Sequence, residues 1–395
     1  MITASLGAIG SGIGCAASGF FSIYLGQRIT MVLFMPFLFS SWILLYYAPT
    51  SWVIILARLL LGIFVGVMAD PSVTYVTEIS QEHIRGRLVS IIDFNRVVGI
   101  CFVFLIGNLG LKWRELALIT GLVTCIPPII GLLFLPNSFR WLISKDRHNE
   151  AVNALKFFRN KTDDEINTEI KLIIEGNKES SDTLVKQMKS LLKLTNIKRL
   201  VAISILCFCT QFSGLLLVVN YSTLIMKSVF VEFNEYSSSL ILGAVRFFAL
   251  IIFIAIVDNY QRKTIYFFSF LSAGICMIFM GVIYTLETYN MVISSYIPFV
   301  VLMIFELAIS MSDSSVTVFR TELLPGSIRA IGMSITMVIF CVAGFLALQT
   351  FPLIINSSLK IHGAFFIYSA FCIFMSIIVK YALPETNGKV LEEIK

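Results

Sequence analysis

Apolar residues come in long blocks along this chain, and polar residues are gathered into the stretches between them. A helix needs about 20 mostly apolar residues to cross the hydrocarbon core of a bilayer. The pattern predicts eleven such segments. Five come first, over Ile2–Leu25, Thr30–Ala48, Trp52–Tyr75, Leu88–Leu109 and Glu115–Leu135. Six follow a polar interval, over Leu200–Met226, Ser237–Val257, Thr264–Leu286, Val292–Phe319, Ala330–Phe351 and Gly363–Leu383. Nothing alternates in the roughly ten-residue segments that a transmembrane β-barrel shows. Within the interval Ser144–Lys198, apolar residues return at helical spacing in Ala151, Leu155 and Phe158, and again in Ile166, Ile170, Ile173 and Ile174. Short amphipathic helices lying under the bundle are expected there, with a structureless charged linker as the alternative. The predicted fold is all-helical, with an N-terminal bundle at 1–135, a linker at 136–199, a six-helix bundle at 200–383 and a tail at 384–395.

Basic residues orient the bundle. One set of connections holds Arg28, Arg85, Arg87, thirteen basic residues from Arg140 to Arg199, Arg262, Lys263, Arg320, Arg329, Lys389 and Lys395. The alternate connections hold only Lys112, Arg114, Lys227 and Lys360. The rich side is expected to be cytoplasmic, which puts the C-terminus inside and Met1 outside. A composition of 57% hydrophobic and 14% charged residues agrees with a membrane protein, since soluble domains carry about 25% charged residues. The net charge of +6 follows sidedness and gives no argument for nucleic acid. The eight cysteines all lie in apolar runs, so no disulfide framework, metal site or cofactor is indicated.

The chain also repeats itself. Thr77-Glu78 followed by Arg85 returns as Thr321-Glu322 followed by Arg329, each closing one apolar run and opening the next. Gly26-Gln27-Arg28 similarly matches Gln261-Arg262-Lys263. Repeats of nearly half a chain in a hydrophobic protein point to two related bundles, the architecture of many solute carriers. Two apolar segments precede the matched loop in the second half and only one in the first. The pattern is thus that of twelve helices without the first.

These motifs, in this order, resemble the sugar porters of the major facilitator superfamily, near the insect facilitative trehalose transporters. The resemblance runs from the second family helix to the end. It rests on Gly19…Gly26-Gln27-Arg28, Arg58…Gly62, Glu78…Arg85-Gly86, Pro136-Asn137-Ser138-Phe139-Arg140 and Gln211-Phe212-Ser213-Gly214…Tyr221-Ser222. It continues in Asp258…Arg262-Lys263, Glu322…Arg329 and Pro384-Glu385-Thr386-Asn387-Gly388. It implies no enzyme, a small polar solute such as a hexose or trehalose, alternating access and a multi-pass place in the plasma membrane. Proton coupling is left open.

Charges at helix ends can pair when two bundles close and must separate when they open. Arg28, Glu78, Arg85 and Arg140 in one half, and Asp258, Arg262, Glu322, Arg329 and Glu385 in the other, are expected to form such a latch. Solvated helix-end charges are the alternative. The resemblance implies that Ile23 and Asn137 stand where acids are usual, so the first latch should be loosened toward inward-open states. In the cavity, the resemblance leaves Gln211, beside Thr210, as the surviving hydroxyl ligand, with a Gln that satisfies a neighbouring backbone break as the alternative. Asp93, Arg246, Asp313 and the pair Phe340-Cys341 replace other sugar contacts. Ionisable groups at membrane depth need partners. An Asp93–Arg246 pair is therefore expected, either as a plain salt bridge or as part of a cavity retuned to a charged or zwitterionic solute or to a proton. A non-transporting or truncated relative is the rival reading. Asn356-Ser357-Ser358 is a glycosylation sequon on the outer side.

Overall fold

The computed structural model describes residues 2–107, 109–159, 165–166, 170, 184–218, 235–289, 291, 294, 296–325, 328–357 and 359–382. Every predicted segment forms helix within these residues. The N-terminal bundle holds α1 (Ile2–Tyr24), α2 (Gln27–Tyr46), α3 (Ser51–Ile79), α4 (Arg85–Gly107) and α5 (Trp113–Phe134). The linker adds α6 (Phe139–Ser144), α7 (His148–Phe158) and α8 (Leu184–Leu191). The C-terminal bundle holds α9 (Leu194–Gln211), α10 (Glu235–Ile256), α11 (Arg262–Thr288), α12 (Tyr296–Leu323), α13 (Arg329–Ile355) and α14 (Lys360–Ala382). Ten of these are long and apolar enough to cross a membrane, and α10 is apolar over Leu240–Ile256. The last residues expected in the sixth segment, beyond 218, and the tail with Glu385 lie outside the described residues.

The two bundles meet along α1 against α13 and α4 against α10 and α12. Large apolar side chains remain exposed on the outward faces, as in Leu133, Phe134, Phe268 and Leu353. That is the distribution expected where the surrounding solvent is lipid and helices associate by packing. Small residues set the closest contact. A Cβ on Gly14 of α1 would stand 2.0 Å from the Ile63 carbonyl oxygen of α3, a backbone atom that cannot rotate away. Gly14→Val is therefore expected to force α1 off α3 and lower the melting temperature, at an overpacking cost of about 1–3 kcal/mol. A thermal unfolding curve that matched wild type would contradict that packing.

The linker folds as a small helical cap. Phe139, Leu142, Ile143, Ala151, Ala154, Leu155, Ile166 and Ile170 form its own apolar core; Ile173 and Ile174 lie outside the described residues. Its polar atoms serve helix C-termini, whose last carbonyls have no intrahelical donor. Trp141 Nε1 donates to Ile23 O at 3.1 Å, and the Arg159 guanidinium donates to Ile79 O at 3.2 Å and Ser80 O at 3.4 Å. The cap is thereby tied to the ends of α1 and α3 on the basic face.

Candidate functional site

Several helices run past their apolar segments on the basic face. Helix α3 continues beyond Tyr75 to include Glu78, and α12 beyond Phe319 to include Arg320 and Glu322. These ends are buried rather than solvated. Glu322 pairs with Arg262, which also binds Asp258 at 3.1 Å. Asp258 in turn reaches the other bundle: it accepts from the Arg87 backbone N–H at 3.0 Å and lies 3.6 Å from Arg87 Nε. Gly86 makes this approach possible, because a Cβ there would stand 2.2 Å from Asp258 Oδ1. Glu78 accepts from Gln27 at 3.1 Å and from the Ser138 hydroxyl, and faces Arg329 of the other bundle at 4.0 Å. Arg140 acts on Glu78 electrostatically, and Arg85 is buried at the start of α4.

The structure therefore brings several of the expected helix-end charges together across the two bundles, with two differences. Among the described residues Arg28 forms no ion pair with an acid: it donates to the Leu132 and Leu133 carbonyls at 2.8 and 3.0 Å and caps α5. Arg87, read from sequence only as a loop charge, is the residue that joins Asp258 across the bundles. The positions of Ile23 and Asn137 were expected to leave the first latch loose. Gln27 and Ser138 satisfy Glu78 there instead.

A second tie lies deeper and was not legible as one. Asp70 on α3 receives Arg320 of α12 at 2.9 Å, and Ser18 of α1 at 3.3 Å. Ser18 also shares a hydrogen bond with Ser334 of α13 at 2.9 Å. Arg320 also donates from Nε to Thr336 at 3.2 Å and from Nη2 to the Met333 carbonyl at 3.1 Å. Asp70 and Arg320 are only 3% and 5% exposed, so Arg320 belongs to the buried interface and not to a loop. The available signal was Asp70 itself, an acid inside an apolar span.

Nearer the middle of the helices, Asp313 holds the charged cluster together. Arg96 of the N-terminal bundle donates to Asp313 at 2.5 Å and to Asp93 at 3.2 Å. Arg246 of the C-terminal bundle donates to the same Asp313 oxygen at 3.3 Å. The expected Asp93–Arg246 pair is not formed, because Asp313 stands between the two arginines and binds both, while Asp93 is bound by Arg96 alone. Asp93 Oδ2 and Arg246 Nε, both buried, have no hydrogen-bond partner. Glu306, one more buried acid on α12, was missed in the sequence reading. Its signal was the same as that of Asp70.

Thr210 and Gln211 end α9, just before Gly214 at φ 91°. Thr210 gives its hydroxyl to Leu206 O at 2.7 Å, within its own helix, and so has no donor left to offer a solute. Gln211 is different: its buried Oε1 has no partner. A Cβ on Gly344 of α13 would stand 3.3 Å from that oxygen. Phe340 and Cys341 also lie on α13, and Asn356 is exposed at that helix's far end, opposite the basic face.

Two bundles of spanning helices joined on one face by buried ion pairs, with charged and amide groups between them, have the architecture of a membrane solute carrier. The chain belongs to the sugar (and other) transporter family, whose model matches residues 1–395. It is similar to the facilitated trehalose transporter Tret1 of Culex quinquefasciatus, 29% identical over 376 residues, covering 94% of this chain and 72% of that protein. It is also similar to Tret1 of Polypedilum vanderplanki, 28% identical over 97% of this chain and 76% of the relative. Among solved structures it shares the fold of the proton:xylose symporter XylE bound to 6-bromo-6-deoxy-D-glucose. That match has a TM-score of 0.85 at 21% identity over 99% of this chain and 87% of the other.

Proposed function

We propose that this carrier moves a small polyhydroxylated solute, a hexose or trehalose, across the plasma membrane by alternating access. Gln211 carries the reading. A neutral amide with a free, buried oxygen can accept a hydroxyl without the cost of desolvating a charge. The trehalose-transporter relatives support the same solute class. A hydrogen bond of this kind contributes about 0.5–1.5 kcal/mol, so Gln211→Ala is expected to raise the half-saturating sugar concentration by about 2- to 13-fold. The measurement is labelled hexose and trehalose uptake in cells lacking endogenous hexose carriers, with surface expression confirmed. Absence of uptake of either sugar at normal surface expression would favour a non-transporting relative.

The charged cluster favours a second reading. Asp93, Arg96, Arg246 and Asp313 offer charge-assisted hydrogen bonds, which are about twice as strong as neutral ones, and they suit a charged or zwitterionic solute. Competition of sugar uptake by amino sugars and sugar acids separates the two. Inhibition by the charged compounds well below the concentration of neutral sugar needed for the same effect would support the second.

A further inference from the structure

One pair of thiols meets across the seam between the bundles. Cys15 of α1 and Cys341 of α13 are both free and buried, and their thiols share a hydrogen bond. The two helices come close here because glycines line α1. A Cβ on Gly12, one turn from Cys15 on the same face, would stand 3.6 Å from Cys341 Cβ, and one on Gly19 would stand 3.1 Å from the Ala330 carbonyl oxygen. Cys15 Sγ is held further by donating to the Gly66 carbonyl of α3 at 3.4 Å. One turn along α1, Ser18 meets Ser334 across the same seam at 2.9 Å. A cysteine buried in apolar surroundings is inert, whereas one beside a cation and within reach of a small reagent is reactive. Arg320, with its partner Asp70, acts on both thiols. Cys341 keeps 9% exposure where Cys15 has none, so a reagent arriving at the pair meets Cys341 first.

We propose that Cys15 and Cys341 are a reversible oxidation site through which a peroxide locks the carrier. The proposal rests on the sugar-carrier reading above. The Cys341 sulfur attacks one oxygen of H2O2, the O–O bond breaks, and a sulfenic acid forms as one water leaves. The Cys15 sulfur then attacks the Cys341 sulfur, the S–O bond breaks, and the hydroxyl leaves with the Cys15 proton as a second water. Two thiols are oxidised to one disulfide, and one peroxide is reduced to two waters. A disulfide holds its Cα atoms within about 4.4–6.8 Å of each other. Helices α1 and α13 can then no longer part, and the bundles cannot separate along this seam as alternating access requires. A dithiol reductant takes over the disulfide by exchange and frees them. Cys207 also acts on Cys341, but it lies on α9 of the same bundle. A link between those two would leave the seam free.

The test uses the full chain in liposomes, with hydrogen peroxide as oxidant, dithiothreitol as reductant, and labelled D-glucose and trehalose as probes. Peptide mapping by mass without reduction is expected to find Cys15 joined to Cys341, and sugar uptake is expected to fall in proportion to the joined fraction. Dithiothreitol should reverse both changes. Cys15→Ser, whose hydroxyl can still donate to the Gly66 carbonyl, should carry sugar as wild type does and keep doing so in peroxide. The map of wild type decides the site even if that variant fails to fold. No link between Cys15 and Cys341 in peroxide-treated wild type overturns the proposal, whether or not uptake falls. A link that leaves uptake unchanged overturns the lock, and so does a loss in Cys15→Ser as deep as that in wild type; both leave the carrier reading standing. No uptake of either sugar by folded, reduced wild type removes the carrier reading and the lock with it, whatever the map shows.

Discussion

Arg320→Asp will open the basic face of this carrier. The substitution sets two carboxylates against each other at Asp70, where a 2.9 Å ion pair now joins α3 to α12. Removing one partner of a buried pair costs about 3–5 kcal/mol, because the other charge is left uncompensated. That cost falls on the closed arrangement alone, since in the open one Asp70 and Arg320 are free to meet water. About 5.5 kcal/mol suffices to carry a two-state equilibrium from 1:99 to 99:1, so a large population shift is expected. Thr77, 1% exposed at the end of α3, reports it: a cysteine placed there should become accessible to maleimide from the basic face. Asp70→Arg combined with Arg320→Asp should restore much of the protection. Equal labelling in wild type and Arg320→Asp would remove the tie from the mechanism.

This pair changes what the depleted latch means. Ile23 and Asn137 suggest bundles held weakly at their ends, and hence a bias toward inward-open states. The structure instead strengthens the seam deeper in, through Asp70, Arg320, Ser18 and Ser334. Interface stability is redistributed along the helices, so the loss of helix-end acids does not by itself predict an open carrier.

The helices were legible because lipid imposes one strong rule: apolar runs of spanning length bounded by polar turns. Their ends were not, because buried ion pairs let α3 and α12 continue through polar residues. Glu78 and Arg320 therefore sit on helix, where hydropathy alone ended the spans at Tyr75 and Phe319. The identity of the charged positions was also legible. Asp93, Arg246 and Asp313 all lie in apolar segments, where a charge demands a partner. The partners themselves were not, since helix spacing says nothing about which of several side chains crosses the interface. Arg28 shows the same limit from the other side: a basic residue at a helix end can cap carbonyls as readily as it can close a latch. Thr210 shows it again, as a hydroxyl beside a ligand candidate that is spent on its own backbone.

The geometry of the central cluster makes Asp313, and not Asp93, the residue whose loss should be felt most. Asp313→Asn withdraws the one acid bound to Arg246, which is 5% exposed, and also the closer of the two acids on Arg96. Arg96 has a remedy: its side chain is 46% exposed and keeps Asp93 at 3.2 Å. Arg246 keeps no ion pair among the described residues, only the fields of the nearby Glu306 and Asp93, so the cost should approach the lower end of the roughly 3–5 kcal/mol of a broken buried pair. Asp93→Asn should cost far less, because Arg96 retains Asp313. Arg246→Gln in the Asp313→Asn background removes the stranded cation and should recover part of the loss. The double-mutant cycle should then show an interaction energy within the roughly 0.5–3 kcal/mol found for groups in contact. Melting curves of the purified single and double variants give the comparison. If Asp93→Asn melts as low as Asp313→Asn, or if the two changes at Asp313 and Arg246 simply add, Asp313 is not the group that holds the cluster together.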